Sequence, residues 1–123
     1  MITFKPLEIS DIATITAMMQ DFYAIDNYPI EVETTKKMFH EFIFNENLGT
    51  AWLIYSDTEI AGYIILTYVF SFEYGGRIAL LDELFIKETA RGKGIGKEAI
   101  QFIQHEVPKL SLKLLYLEVE PHN

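Results

Sequence analysis

The sequence contains no cysteine, and this absence excludes disulfide bonds, thiolate metal sites and a cysteine nucleophile. A chain without cysteine suits a reducing compartment, so we expect it to act in the cytoplasm. Long apolar runs are missing as well. The longest spans residues 63–70 and has the length of a strand, whereas a membrane-spanning helix needs about 20 residues. We therefore expect no membrane partner.

Positive charge is scarce. Ten Lys and Arg residues stand against 18 Asp and Glu residues, which gives a formal net charge of −8. Because nucleic-acid phosphates repel such a surface, the composition argues against DNA or RNA as a partner. The basic residues are unevenly distributed, since four of the ten fall within residues 87–97. The possible ligand residues form no cluster with metal-ligand spacing, so we expect no metal.

The chain has 123 residues, of which 50% are hydrophobic and 23% are charged. This length is close to the common size of one domain, and the composition is that of a globular protein. We therefore treat residues 1–123 as a single domain.

Two helices are predicted in the first third of the chain. Ser10 can cap a helix whose apolar residues recur at spacings of three and four, and residues 27–29 break it. A second helix should span residues 31–44. The residues expected on the buried faces are Ile12, Ile15, Met19, Phe22, Met38, Phe39, Phe42 and Ile43.

After residue 44 the sequence pattern changes from that of helices to that of strands. Segments 50–55, 60–70 and 78–86 are rich in β-branched and aromatic residues, and polar or glycine-containing turns separate them. A third helix should begin within the glycines of residues 91–96 and continue to about residue 107, because Pro108 stops it. A last strand is predicted over residues 113–119. The residues expected on the buried face of the third helix are Ile95, Ala99, Ile100, Ile103 and Val107.

The predicted order is therefore helix, helix, three strands, helix, strand. Short turns allow the first three strands to be antiparallel. The third strand, the third helix and the last strand form a βαβ unit, whose two strands should be parallel. The fold class is α/β, with a mixed sheet in which antiparallel strands precede a parallel βαβ unit.

Residues 91–96 read RGKGIG and lie where a strand gives way to a helix. The first backbone N–H groups of a helix have no internal partner, and the helix macrodipole adds positive potential there. Glycines let the backbone approach phosphate oxygens closely. Arg91, Lys93 and Lys97 add positive charge. The sequence thus predicts a phosphate-binding turn.

Two common phosphate-binding motifs do not fit this turn. The P-loop requires Ser or Thr after its lysine, but Glu98 follows Lys97. The dinucleotide fingerprint G-x-G-x-x-G fails because Lys97 occupies the place of its third glycine.

Arg91, Gly94 and Gly96 instead match the pattern [QR]-x-x-G-x-[GA], and the turn resembles the CoA-binding motif of the GNAT acetyltransferase superfamily. The context is similar too, because the motif follows the strand at 78–86 and precedes the segment at 115–119 and Asn123. The resemblance covers almost the whole chain. It implies an acyltransferase that uses acetyl-CoA as cosubstrate.

In that family the pantetheine arm lies between two splayed parallel strands and pairs with the backbone of the first one. The resemblance implies that residues 84–86 contact pantetheine and that residues 91–96 hold the pyrophosphate. The implied cofactor-binding residues are Leu84, Phe85, Ile86, Arg91, Gly92, Lys93, Gly94, Ile95, Gly96, Lys97 and Asn123.

The resemblance also implies direct transfer, in which a neutral amine attacks the thioester carbonyl and no acyl-enzyme forms. A protonated amine has no lone pair, so a carboxylate must take its proton. Asp82 and Glu83 are similar to the acidic pair of polyamine acetyltransferases. Asp82 is the first candidate for the base and Glu83 the second. Their side chains should point to opposite faces of the strand unless a β-bulge intervenes.

Two segments that combine aromatic rings with carboxylates, residues 22–28 and 71–76, are expected to border the acceptor, because such groups suit a cationic amine. Hydrophobic packing with exposed charges is the alternative interpretation of both segments. The predicted acceptor contacts are Tyr23, Tyr28, Glu73 and Tyr74.

The family pattern continues past Asn123 with a helix that carries a tyrosine and with two further strands, whereas this sequence stops at Asn123. We therefore expect a C-terminally truncated sheet, in which the strand at residues 112–119 has an open edge. Open edges favour pairing between chains, so a homodimer is expected.

The sequence thus predicts an acetyl-CoA-dependent N-acetyltransferase that acts on a primary amine, with a small cationic amine as the favoured acceptor. Two alternatives remain open. One is acetylation of a protein N-terminus or lysine, and the other is a CoA-binding module with little or no activity.

Overall fold

A computed structural model describes residues 1–117. Short 3₁₀ turns, Ile9–Asp11 and Glu88–Ala90, precede the first and third helices. The helices and strands, in chain order, are β1 (Ile2–Pro6), α1 (Ile12–Ala24), α2 (Val32–Ile43), β2 (Gly49–Ser56), β3 (Glu59–Ser71), β4 (Gly76–Ile86), α3 (Ile95–Lys109) and β5 (Leu115–Tyr116).

The five strands form one sheet in the order β1-β2-β3-β4-β5. Neighbours from β1 to β4 are antiparallel, while β4 and β5 are parallel through Ala79↔Leu115 and Leu80↔Tyr116. The predicted mixed sheet with a parallel βαβ unit is therefore confirmed. The strand predicted over residues 113–119 is observed at Leu115–Tyr116, and its last two residues lie outside the described residues.

The predicted order is wrong in one respect, because it omits β1. Ile2, Thr3, Phe4 and Lys5 alternate apolar and polar side chains, but over too few residues to stand out as a strand. Pairing with β2, from Ile2↔Ser56 to Pro6↔Trp52, stabilises this strand.

Three details of the helices also differ from prediction. Ser10 does not cap α1, because it lies inside the 3₁₀ turn, where the Asp11 carboxylate accepts the backbone N–H of Glu8 at 3.0 Å. Pro108 does not stop α3 but lies in its last turn, which closes through a hydrogen bond from the Leu110 N–H to the Glu106 carbonyl (3.0 Å). The helix ends only two residues later, at the C-cap Leu110.

Met38 is the third difference. It is 63% exposed rather than buried, because α2 directs Thr35 and Phe39 towards the sheet. Adjacent helical residues point about 100° apart, so Met38 lies at the edge of the packed face.

Hydrophobic clusters cover both faces of the sheet, as the two-residue period of a strand requires. Burial of each large aliphatic side chain contributes about 1.5–3 kcal/mol before entropic costs. The cluster under α1 and α2 consists of Ile12, Ile15, Met18, Met19, Phe39, Ala51, Leu53, Tyr63, Ile65 and Phe85. The cluster under α3 consists of Trp52, Ile54, Ala61, Ile64, Leu66, Ala79, Ala90, Ile95, Ala99, Ile103, Val107 and Leu112. None of the helices within residues 1–117 is both long and apolar enough to cross a bilayer.

Candidate active site

A β-bulge in β4 brings two carboxylates together. Ile65 pairs with Glu83 but Leu66 pairs with Leu81, so Asp82 is an extra residue without a partner on β3. Leu81 and Leu84 both pack against the cluster under α3. Successive side chains of a strand point to opposite faces, and Asp82 follows Leu81 while Glu83 precedes Leu84. Both carboxylates therefore point to the face opposite the leucines, towards α1 and α2. The expected opposite orientation therefore does not hold, because the bulge intervenes.

The Glu83 carboxylate is held by two phenols. Tyr63 donates a hydrogen bond to one oxygen at 2.7 Å, and Tyr23 donates a short one to the other. Burial raises the pKa of Glu83 above its ordinary value, and the Asp82 charge adds to this rise, while the two hydrogen bonds oppose it. Burial and the negative charge of Glu83 also raise the pKa of both tyrosines, so they remain protonated donors at neutral pH. Glu83 is thus a fixed carboxylate that is more basic than a free glutamate.

Asp82 differs from its neighbour. Its side chain is exposed, and no donor within residues 1–117 forms a hydrogen bond with it. A carboxylate that is exposed and has no internal donor is open to a proton or a cation from a ligand.

Two cavities meet at this pair of carboxylates, and both are bordered by Tyr23. The larger has a volume of about 460 Å³ and lies between α1, α2 and the sheet, and the smaller has a volume of about 420 Å³. The larger is lined by Met19, Tyr23, Ile30, Glu31, Thr34, Thr35, Met38, Phe39, Phe42, Ile65, Thr67, Asp82 and Glu83. The smaller is lined by Phe22, Tyr23, Asp26, Tyr28, Asp82 and Glu83.

Of the predicted acceptor contacts, Tyr23 lines both cavities and Tyr28 lines the smaller one. Glu73 and Tyr74 line neither. They lie in the turn between β3 and β4, and six strand residues, roughly 20 Å, separate the start of β4 from Asp82. The structure therefore brings the segment at 22–28 to the carboxylates and leaves the other turn at the far end of the strand.

In the part of the chain that the structure describes, the edge of β4 opposite β3 is unpaired beside the carboxylates. Within the described residues, β5 pairs with β4 only at Ala79 and Leu80, so residues 84–86 are paired on the β3 side alone. Leu84 is half-buried, and Phe85 is buried beneath α1, so only its backbone can reach a ligand at this edge. The Ile86 carbonyl already accepts the Arg91 Nε–H at 3.0 Å.

The glycine turn forms an open cradle. Gly92 and Gly94 have φ angles of +78° and +76°, and a Cβ atom built at Gly92, Gly94 or Gly96 would meet no atom within 4 Å. Gly94 precedes the first residue of α3, Ile95, and provides no side-chain cap, which leaves the first N–H groups of the helix available.

Three exposed cations, Arg91, Lys93 and Lys97, surround this cradle. The turn therefore fits a pyrophosphate in shape and in charge. Asn123, which the family resemblance also implies as a cofactor-binding residue, lies outside the described residues.

Tyr63 is the main site residue that the sequence does not reveal. It lies in an apolar strand and has no exposed surface. The one available signal is that a buried tyrosine hydroxyl needs a hydrogen-bond partner. The bulge in β4 sets the register that brings Glu83 close to Tyr63, and the sequence does not reveal this bulge.

Replacing Tyr63 by phenylalanine should reduce the free energy of unfolding by about 1–3 kcal/mol near pH 7, because one oxygen of a buried carboxylate loses its donor. The loss of this donor raises the pKa of folded Glu83 further above its unfolded value. The loss of stability in Tyr63→Phe is therefore present when Glu83 is ionised, and it becomes smaller as the pH falls and Glu83 is protonated. Urea unfolding at pH 4 and pH 8 measures the difference.

The matched control is Tyr68→Phe, which breaks a hydrogen bond with the uncharged Thr50 hydroxyl. Its cost should not depend on pH. An equal cost of Tyr63→Phe at both pH values would show that the phenol does not stabilise the charged carboxylate.

Comparison with known proteins decides the family. The sequence profile described as "Acetyltransferase (GNAT) family" matches residues 14–123. The chain belongs to the GNAT family. GNAT proteins are acyltransferases that use acetyl-CoA, so the chain is an acetyl-transferring enzyme.

Solved structures support the GNAT fold. An integron cassette protein from the mobile metagenome of Cole Harbour Salt Marsh is 32% identical, with a TM-score of 0.89 over 94% of this chain and 76% of that one. A possible acetyltransferase from Clostridium difficile 630 is 18% identical, with a TM-score of 0.86 over 99% of this chain and 82% of that one. A predicted acetyltransferase from Clostridium acetobutylicum, solved with acetyl-CoA, is 15% identical, with a TM-score of 0.79 over 99% and 83%. A search of the curated proteins gives no match.

Proposed function

We propose that this GNAT protein transfers an acetyl group from acetyl-CoA directly to the nitrogen of a small, cationic primary amine. The observation that supports this most strongly is the bulge at Asp82, which directs two adjacent carboxylates into the same pair of cavities. A pair of carboxylates at the wall of a partly apolar cleft attracts an ammonium group and can also remove its proton.

The cosubstrate is held along the open side of β4. We assign its pyrophosphate to the backbone N–H groups of residues 92–96, with Arg91, Lys93 and Lys97 as counter-charges. We assign its pantetheine arm to the backbone edge of residues 84–86 that faces away from β3 and pairs with nothing within residues 1–117, and this edge leads from the turn towards Asp82. Acetyl-CoA supplies a thioester carbonyl to this site.

Asp82 acts as the proton acceptor. It is exposed to the cavities, whereas both oxygens of Glu83 already accept phenol hydrogen bonds. Asp82 takes one proton from the bound ammonium group, and the neutral nitrogen then bonds to the thioester carbonyl carbon. The carbon–sulfur bond breaks, and the second proton that the nitrogen loses goes to the departing sulfur, so CoA leaves as the thiol. Glu83 holds the ammonium form in place and keeps the local potential negative.

Acetyl-CoA consumption with a panel of acceptors tests the substrate class. Small primary amines should be acetylated faster than peptides that offer a free N-terminus or a lysine. Faster acetylation of the peptides would overturn the proposal in favour of a protein acetyltransferase. Tight CoA binding without consumption by any acceptor would instead indicate a binding module.

We also propose that the chain is a cytoplasmic homodimer. The absence of cysteine supports a location in the reducing cytoplasm. An exposed apolar cluster on the hairpin of β3 and β4 supports the self-association. Val69, Phe70 and Tyr74 are exposed there, and Phe72 is 92% exposed. Exposed apolar clusters of this kind mark interaction surfaces.

Light scattering at roughly 100 μM, a concentration at which exposed apolar surface associates, should give the mass of a dimer. Phe72→Ser should shift the mass towards a monomer, whereas Phe44→Ser, at an exposed phenylalanine on the end of α2, should not. A strict monomer at this concentration would refute the dimer.

A further inference from the structure

The larger of the two cavities has an unequal distribution of polarity. Its walls between α1, α2 and β3 are formed mainly by Met19, Ile30, Phe39, Phe42 and Ile65. Its two acidic groups from the sheet, the carboxylates of Asp82 and Glu83, lie together on β4. A ligand that combines a cationic end with an apolar body matches this arrangement.

Several of the other polar groups that line the cavity form local hydrogen bonds. The Thr35 hydroxyl donates to the Glu31 carbonyl at 2.9 Å, and the Glu31 carboxylate accepts the Thr34 N–H at 3.2 Å as the cap of α2. Tyr23 is bound to Glu83. Glu31 is the one further carboxylate that residues 1–117 contribute to this lining, and it is single and exposed, so the pair on β4 is the most acidic part of the cavity.

Met38 lies at the mouth of the same cavity. It lines the space and is also 63% exposed. A flexible thioether at an opening adapts to apolar ligands of different shape. This position gives the far end of a ligand an apolar surface to contact.

We infer that the acceptor is a primary amine on an unbranched or aromatic hydrocarbon chain, whose apolar body fills the cavity beneath α2 while its ammonium group meets Asp82 and Glu83. The inference rests on the proposed function and narrows its acceptor to monoamines with an apolar tail. A polyamine would place a second ammonium group against the apolar wall that Phe39 and Phe42 form beside Met38, and an unpaired cation in apolar surroundings is costly.

Hexylamine and 1,5-diaminopentane test this directly, because they have the same length and differ only in a terminal methyl or ammonium group. We expect the kcat/KM for hexylamine to exceed that for the diamine by about 10-fold or more, as apolar pockets discriminate between such ligands. Calorimetry with each amine, in the presence of CoA, measures the same preference without turnover.

Met38→Glu should reverse or abolish the preference by placing a carboxylate where the second ammonium group would lie. His40→Glu is the matched control, because His40 is exposed on the same helix, does not line the cavity and gains the same charge. This control should keep the preference for hexylamine.

Equal or better use of the diamine by the wild type would overturn the inference while leaving the proposed acetyl transfer intact. An unchanged preference in Met38→Glu would also overturn it. If no amine is acetylated, the proposed function fails, and the calorimetric preference alone then decides whether the cavity selects an apolar amine.

Discussion

Asp82→Asn is expected to slow acetyl transfer to a primary amine by about 10²–10⁴-fold, the usual loss when a general base is removed. Acetyl-CoA affinity should not change, because the phosphate-binding turn lies beyond the end of β4. The loss should shrink as pH rises, because more of the amine is then already neutral. Steady-state rates between pH 6 and pH 9, with calorimetry for acetyl-CoA, measure both effects.

Glu83→Gln is the matched variant on the adjacent residue. It should slow the reaction less, because the glutamine amide keeps an oxygen that can accept one of the two phenols. A larger loss in Glu83→Gln than in Asp82→Asn would mean that Glu83 is the base and that Asp82 holds the ammonium group. Full activity of both variants over the whole pH range would rule out a carboxylate base at this bulge.

Gly94→Val is expected to lower CoA affinity by at least about 10-fold, which corresponds to about 1.4 kcal/mol. A branched side chain at this position would occupy the open space of the cradle, and valine strongly disfavours the φ angle of +76° that precedes α3. Isothermal titration with CoA measures the change.

Gly75→Val provides a close control. Gly75 has a φ angle of +80° and equally open surroundings, but it lies in the turn between β3 and β4. The strain should therefore be similar in both variants, and only Gly94→Val should lose CoA affinity. Unchanged affinity in Gly94→Val, or an equal loss in both variants, would contradict the phosphate-binding assignment.

The parts of the fold that are predictable from sequence depend on local signals. The glycines at residues 92–96 predict a turn that opens a helix, and α3 begins at Ile95, directly after Gly94. The long β-branched segments that become β3 and β4 also predict their antiparallel pairing through a short turn.

The parts that escape prediction depend on tertiary contacts. β1 is too short to stand out, and only its partner β2 stabilises it as a strand. The bulge at Asp82 has no local sequence signal, because an acidic pair is equally compatible with a regular strand and with a bulged one. The hydrogen bond from Tyr63 to Glu83 follows from that bulge, so it could not be inferred either.

Met38 illustrates the same limit for the acceptor cavity. Its spacing from Phe39 and Phe42 fits a buried helix face, but the packing of α2 against α1 and the sheet leaves it at the mouth of a cavity. Hydrophobic periodicity identifies the residues near a helix face and does not distinguish a packed wall from the rim of an opening.

Mass spectrometry of both products tests direct acetyl transfer most directly. The protein is incubated with acetyl-CoA and the fastest primary amine of the panel, and acetylated amine and free CoA are counted in the same sample. We predict equal amounts of the two products, and an unchanged protein mass when acetyl-CoA is added without amine. Free CoA without acetylated amine, or a protein that gains the mass of an acetyl group before the amine is added, would contradict it.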